Sequence, residues 1–205
     1  MKIIEKLKSK LKDLFKGENT GHDISHLERV LENAIEIQRE EGGDLYVVMV
    51  SALVHDVHRL MSGEKKRHVF PEESLDVVKS LLLECNVDLS KLDSILEVVR
   101  YHDDKDNKNV SFETLIVQDA DALDAIGEIG LERTLKYCKA HNIPLTNKDF
   151  SLDCKEYIPD INPISTCHYI YRTMIPNAKK IYTNKAKELS KDKIKILEDF
   201  VENNY

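Results

Sequence analysis

Apolar residues recur at helical spacing along almost the whole chain, and strand-like alternation appears nowhere. Ile3, Ile4, Leu7, Leu11, Leu14 and Phe15 share one face of a segment over 2–16, six lysines occupy the other, and Gly17 closes it. This pattern fits a helix packed on the rest of the domain with its lysines solvated; its alternative is a basic face resting on an anionic membrane. A second helix is predicted over 20–41, with Leu27, Val30, Leu31, Ala34, Ile35 and Ile37 inward and Gly42-Gly43 as its stop. The third, 45–61, is apolar nearly all round (Val47, Val48, Val50, Leu53, Val54, Val57), which marks a helix buried at the centre. Pro71 and two glutamates open a fourth that runs to Cys85. A fifth covers 89–102, a polar loop spans 103–109, and apolar periodicity resumes over 115–137. The stretch 142–163 holds three of the five prolines and reads as a surface loop; helices over 165–175 and 178–201 follow.

The expected architecture is therefore all-α, a single-domain bundle over 1–205 with its core in 20–140, flanked by the helix at 2–16 and the helices of 165–201. Composition agrees: 41% hydrophobic and 33% charged residues with few glycines and prolines exclude disordered and collagenous classes. A formal charge of −7 gives no global field for nucleic acid, so a phosphate-bearing ligand must meet a local basic patch. The longest apolar run, 45–54, is about half a membrane span, and no secretory leader is visible. Cys85, Cys138, Cys154 and Cys167 form no Cys-x-x-Cys pair and read as reduced thiols. A cytoplasmic protein with no nucleic-acid or membrane partner is the expectation.

Chemistry enters with the histidines. Three His-Asp dipeptides occur, at 22, 55 and 102, where composition predicts fewer than one. The second lies inside Ala52-Leu53-Val54-His55-Asp56-Val57, the most apolar segment of the chain. A carboxylate and an imidazole buried there cost several kcal/mol unless paired or coordinated. A divalent cation compensates both; an Asp-His hydrogen bond or a salt bridge to arginine is the alternative. His26, flanked by Leu27 and Val30 on the core stripe, is a further inward donor. Asp119, Asp121 and Asp124 sit in another apolar stretch, where Asp121 and Asp124 share a helix face and Asp119 lies about 200° round from Asp121. Not all three acids can be ligands.

His26, the His55-Asp56 pair and Ala120-Asp121-Ala122-Leu123-Asp124 together resemble the H…HD…D pattern of the HD-domain metal-dependent phosphohydrolase superfamily. The segments 21–30, 117–130, His168-Tyr169 and Lys187-Glu188-Leu189 extend the likeness to its small, stand-alone bacterial members, some of which are nucleotide pyrophosphohydrolases. The resemblance implies an all-helical HD-domain bundle with His26, His55, Asp56 and Asp121 as metal ligands. Asp119 is then a second acid that orients a ligand or the attacking water, or else caps the following helix. The likeness departs at one point. Relatives that position water with a glutamate soon after the HD pair have no counterpart here, since Val57-His58-Arg59-Leu60 holds no acid.

Two imidazoles and two carboxylates suit Mn, Mg, Fe, Zn or Co without selecting among them. One such ion leaves positions for water and a phosphate oxygen, so hydrolysis at phosphorus is the expected chemistry. Basic side chains should line the mouth: His58, Lys65, Arg67 and His102 are the candidate phosphate-binding residues, with Arg59 in the same basic cluster after the HD pair. His102 could instead complete a second metal site, or be an ordinary imidazole at a helix C-terminus. The expected activity is a metal-dependent phosphohydrolase that cleaves a phosphoester or phosphoanhydride bond of a small phosphorylated substrate. A nucleoside triphosphate giving monophosphate and pyrophosphate is the leading case. A nucleoside monophosphate phosphatase, a cyclic phosphodiesterase and a non-catalytic nucleotide or metal sensor are the alternatives.

Overall fold

The structure, a computed structural model, describes residues 2–16, 23–65, 69–159 and 161–205, and of 62–65 the backbone alone. Helices account for nearly all regular structure. Among the described residues there is no strand, only an isolated bridge between Ile158 and Asn162. The fold is all-α, and no described helix is long and apolar enough to cross a membrane. All four cysteines are free thiols. The chain divides into two compact units, one ending at Asp121 and the other beginning at Ala122.

The first unit is built round α3 (Leu45–Val54), whose residues from Val50 to Val54 are all buried, as an all-round apolar helix requires. Asp44 caps its N-terminus by accepting from the backbone N–H groups of Tyr46 and Val47. Three helices pack on α3: α1 (Lys2–Leu14), α2 (Ile24–Glu41) and α6 (Leu92–Tyr101). α1 buries Ile4, Leu7 and Leu11, while Lys6 and Lys10 reach Glu84 and Lys8 reaches Glu28. These contacts are those of a helix docked on its own domain. α4 (Val57–Lys65) and α5 (Leu75–Glu84) flank a 3-10 turn over Pro71–Ser74, and a second 3-10 turn, Leu89–Lys91, leads into α6. α7 (Phe112–Asp124) carries the chain to the end of this unit.

In the second unit, α8 (Gly127–Ala140) packs against the long α11 (Asn184–Asn204), with α9 (Thr166–Tyr169), a π-helical turn at Ile170–Met174 and α10 (Ile175–Ala178) between them in sequence. Asp124, buried, pairs with Arg133 at 3.1 Å. That ion pair gives Asp124 a structural partner within this unit.

The expected third and sixth elements both break. The segment 45–61 is interrupted at His55-Asp56, and 115–137 is interrupted at Ala125-Ile126, where Ile126 is extended and Gly127 takes φ 73°. A left-handed φ is costly for residues with a Cβ, so the glycine permits the corner between α7 and α8. The last helices are likewise more fragmented than a continuous period implies, and α11 begins at Asn184, capped by Thr183.

Candidate metal centre

Helix ends place the donors. Asp23 caps α2 by accepting from the backbone N–H of His26 at 3.0 Å, which sets His26 in the first turn. His55 and Asp56 occupy the break between α3 and α4. His58 and Arg59 follow in the first turn of α4, His102 is the C-cap of α6, and Asp103 comes next. Asp121 projects from α7, which is tied to α2 by the Asn33 side-chain amide donating to the Ala120 carbonyl at 3.2 Å.

Three imidazoles are oriented in the same manner. His55 donates Nδ1–H to the carbonyl of Ala52 at 2.9 Å, His102 to that of Val99 at 2.7 Å, and His58 to that of His55 at 3.3 Å. Each takes the carbonyl three residues back, at a point where a helix end leaves carbonyls without an amide partner. Donation from Nδ1 leaves Nε2 as the lone-pair nitrogen, the tautomer a metal ligand needs. His55 and His102 are fully buried, and among the described residues neither Nε2 has a hydrogen-bond partner. A buried acceptor left so costs roughly 1–3 kcal/mol unless something else satisfies it.

Carboxylates surround these nitrogens. His26 Nε2 stands 3.4 Å from Asp56 Oδ2 and 3.5 Å from Asp121 Oδ1, and His55 Nε2 stands 3.7 Å from Asp56 Oδ2. Donors bound to one cation at about 2.1 Å lie about 3.0–3.5 Å from one another. The two His26 spacings fall within that range and the His55–Asp56 spacing 0.2 Å beyond it, and the donor set is chemically suited to an ion. A second group, His58, His102 and Asp103, keeps its ligand atoms within 4.8 Å of one another, and His55, Asp56 and His102 form a third that joins the two. Asp56 links them: its Oδ1 lies 3.9 Å from His58 Nδ1, 3.6 Å from His102 Nε2 and 3.3 Å from Arg59 Nε.

Charge follows position. Burial pushes the His55 imidazole below its usual 6.5, and burial before all else takes His58 down to about 4. His102 is also drawn down by burial, but Asp56 and Asp103 outweigh it and raise the group. For Asp121, burial works upward, and the His26 and His55 imidazoles reverse it and hold the carboxyl below the ordinary range. Asp121, Asp103 and Arg59 side chains are 23%, 39% and 30% exposed, whereas those of Asp56 and the four imidazoles are at most 3%. The accessible edge is thus Asp121, Arg59 and Asp103.

His26, His55, Asp56 and Asp121, read from the sequence as ligands, come together, and His58 and His102 lie beside them. The side chain of Lys65, and Arg67 altogether, fall outside the described residues. Asp119 is buried, but α7 is continuous through it, so its side chain leaves the helix about 200° round from Asp121 and it caps no helix. It belongs to none of the three donor groups. Sequence reasoning gave Asp103 and Gln118 no role, and saw Arg59 only as one of the basic residues that could clamp phosphate. Gln118, buried in α7, donates its amide to the carbonyls of Tyr101 at 2.7 Å and Asp104 at 3.1 Å, clamping both sides of His102-Asp103. The only available signal was a polar residue on an apolar stripe.

The chain is similar to known proteins over this region and beyond it. The HD domain family model matches residues 23–126, half of the chain, and its span encloses every residue of the donor groups. YpgQ of Bacillus subtilis strain 168 is 29% identical over 145 residues, 68% of each chain. A crystal structure of YpgQ in complex with ADP superposes with a TM-score of 0.74 at 21% identity, covering 98% of this chain and 93% of that one. An HD-superfamily hydrolase from Bacillus thuringiensis gives the same TM-score and coverage at 26% identity.

Proposed function

The chain belongs to the HD domain family, and from that premise we propose that it is a metal-dependent phosphohydrolase acting on a phosphoester or phosphoanhydride bond of a nucleotide, with a nucleoside triphosphate cleaved to monophosphate and pyrophosphate as the leading case. The observation that carries the reading is that His26 and His55 stand together with Asp121 in one donor group and both face Asp56 Oδ2, with the His55 Nε2 buried and, among the described residues, without a hydrogen-bond partner.

In this reading those four side chains hold one divalent ion, of Mn, Mg, Fe, Zn or Co. The ion supplies a water of lowered pKa and neutralises phosphate charge. The chain supplies the rest. Arg59, at the accessible edge, offers guanidinium N–H groups to phosphate oxygens. His58 and His102 line the same side; Lys65 and Arg67, the other basic candidates of the sequence, lie outside the described residues. An acid must orient the attacking water. Asp119 is the residue the sequence offers; Asp103, within 3.6 Å of His102 Nε2 and 39% exposed, is favoured by its place beside the donors.

The reading is tested with purified protein, metal analysis and a panel of phosphorylated metabolites, begun with adenine nucleotides because YpgQ has been crystallised with ADP. Pyrophosphate from a triphosphate is the expected product. Orthophosphate from a monophosphate, or opening of a cyclic substrate, would put a phosphatase or phosphodiesterase in its place, and tight binding without turnover would leave a sensor.

A further inference from the structure

The donor array is larger than one ion uses. Asp56 presents Oδ2 to His26 and His55 and Oδ1 to His102, so a single carboxylate faces two sets of nitrogens. The second set, His58, His102 and Asp103, has the composition of a cation site in its own right, and the fully buried His102 Nε2 has no hydrogen-bond partner among the described residues. What distinguishes it from the first is Arg59. The guanidinium Nε lies 3.3 Å from Asp56 Oδ1 and an Nη lies 3.6 Å from Asp103 Oδ2, so one cationic group bridges the two carboxylates that a second ion would have to share.

We propose that Arg59 stands in for a second metal ion and keeps the centre mononuclear. The inference rests on the proposed one-ion centre and goes beyond it to the residue that limits the count. Charge balance supports it. With ligating imidazoles neutral, Asp56, Asp103 and Asp121 bring three negative charges, and the guanidinium of Arg59 cancels one of them on the side of the second set, where it contacts Asp56 and Asp103. Without the guanidinium the array carries three, an excess that invites another. The substitute is permanent, because a guanidinium in a protein does not lose its proton, and its planar fork fits two carboxylates at once. The lone pair of His102 Nε2 then faces the guanidinium side of Asp56 as an acceptor for a substrate or water donor.

Counting ions tests this without reference to turnover. Metal-free wild-type protein is dialysed to equilibrium against Mn, and bound metal per chain is measured; one ion is expected. Arg59→Met and Arg59→Gln remove the charge at a partly exposed position and are each expected to bind two, and Arg59→Met with His102→Ala to return to one. Circular dichroism and a melting curve check that each variant is folded. Two ions in the wild type, or one in both single variants, overturns the inference and leaves the metal centre standing. No ion in any of the proteins overturns both.

Discussion

Replacing Asp56 by Asn keeps the shape of the side chain and removes the charge that both halves of the array share. In metal-free protein the loss is limited. Breaking a fully buried ion pair costs about 3–5 kcal/mol, but Arg59 is 30% exposed and keeps Asp103 at 3.6 Å. The Asn also avoids burying a carboxylate that is itself 3% exposed, so a cost of about 1–2 kcal/mol remains. The effect on metal is far larger. A ligand at a hundred times its dissociation constant stabilises the native state by about 2.7 kcal/mol, and each kcal/mol moves the midpoint of a chain this size by about 2–4 °C. Wild-type protein should therefore melt about 5–10 °C higher at that Mn concentration, whereas Asp56→Asn should shift by less than about 1 °C and lose turnover. Scanning calorimetry with and without Mn reads both numbers. An Asp56→Asn protein with the wild-type Mn shift would remove Asp56 from the ligand set and undo the reasoning.

Gln118→Leu withdraws both amide donors from the Tyr101 and Asp104 carbonyls, costs about 1–3 kcal/mol in urea unfolding, and lowers kcat/KM; in a His102→Ala, Asp103→Ala background the kinetic penalty should vanish, and a penalty that persists there would mean Gln118 acts elsewhere. His58, ordinarily near 6.5 and held at about 4 in the fold, binds fewer protons folded than unfolded between those values, so it destabilises as pH falls. Metal-free wild type should accordingly lose about 3 kcal/mol relative to His58→Gln between pH 7 and 4, and a difference independent of pH would contradict the burial argument. Asp103→Asn should cut kcat at least about tenfold, whereas Asp119→Asn should leave kcat near wild type and lower stability; the reverse pattern in steady-state kinetics would return the water-orienting role to Asp119.

The proposed ligands were legible because each breaks a rule locally. His55-Asp56 stands out as charge inside an apolar run, and His26 as a polar residue on a core stripe. The break that places them was not legible. Ala52-Leu53-Val54-His55-Asp56-Val57 contains neither glycine nor proline, and its periodicity runs straight through. The interruption involves side chains, with the His55 imidazole taking the Ala52 carbonyl and the Arg59 amide bonding to the Asp56 carbonyl three residues back, as in a 3-10 turn. Asp103 and the part Arg59 plays were invisible for a different reason. In sequence Arg59 is one basic residue of a cluster suited to phosphate and Asp103 the start of a polar loop, and only tertiary placement puts them 3.6 Å apart. The corner at Gly127 lay in plain view, but a single glycine within an apolar period is as often tolerated as obeyed.

The distribution of exposure also orders events at the centre. The innermost side chains, His26, His55, Asp56 and His102, are sealed, so a phosphate arriving from solvent meets Asp121, Asp103 and Arg59 first. Two carboxylates there face the guanidinium and the Lys105 ammonium, whose charge is felt at Asp121, so the edge offers a polyanion no net attraction. Only after a divalent ion has engaged Asp121 and Asp56 does the edge turn positive, and the guanidinium, already balanced against Asp103, is then available to phosphate oxygens without stripping a carboxylate of its sole partner. Metal before substrate is the order this charge pattern favours, and it follows from the same placement of Arg59 that restricts the centre to one ion.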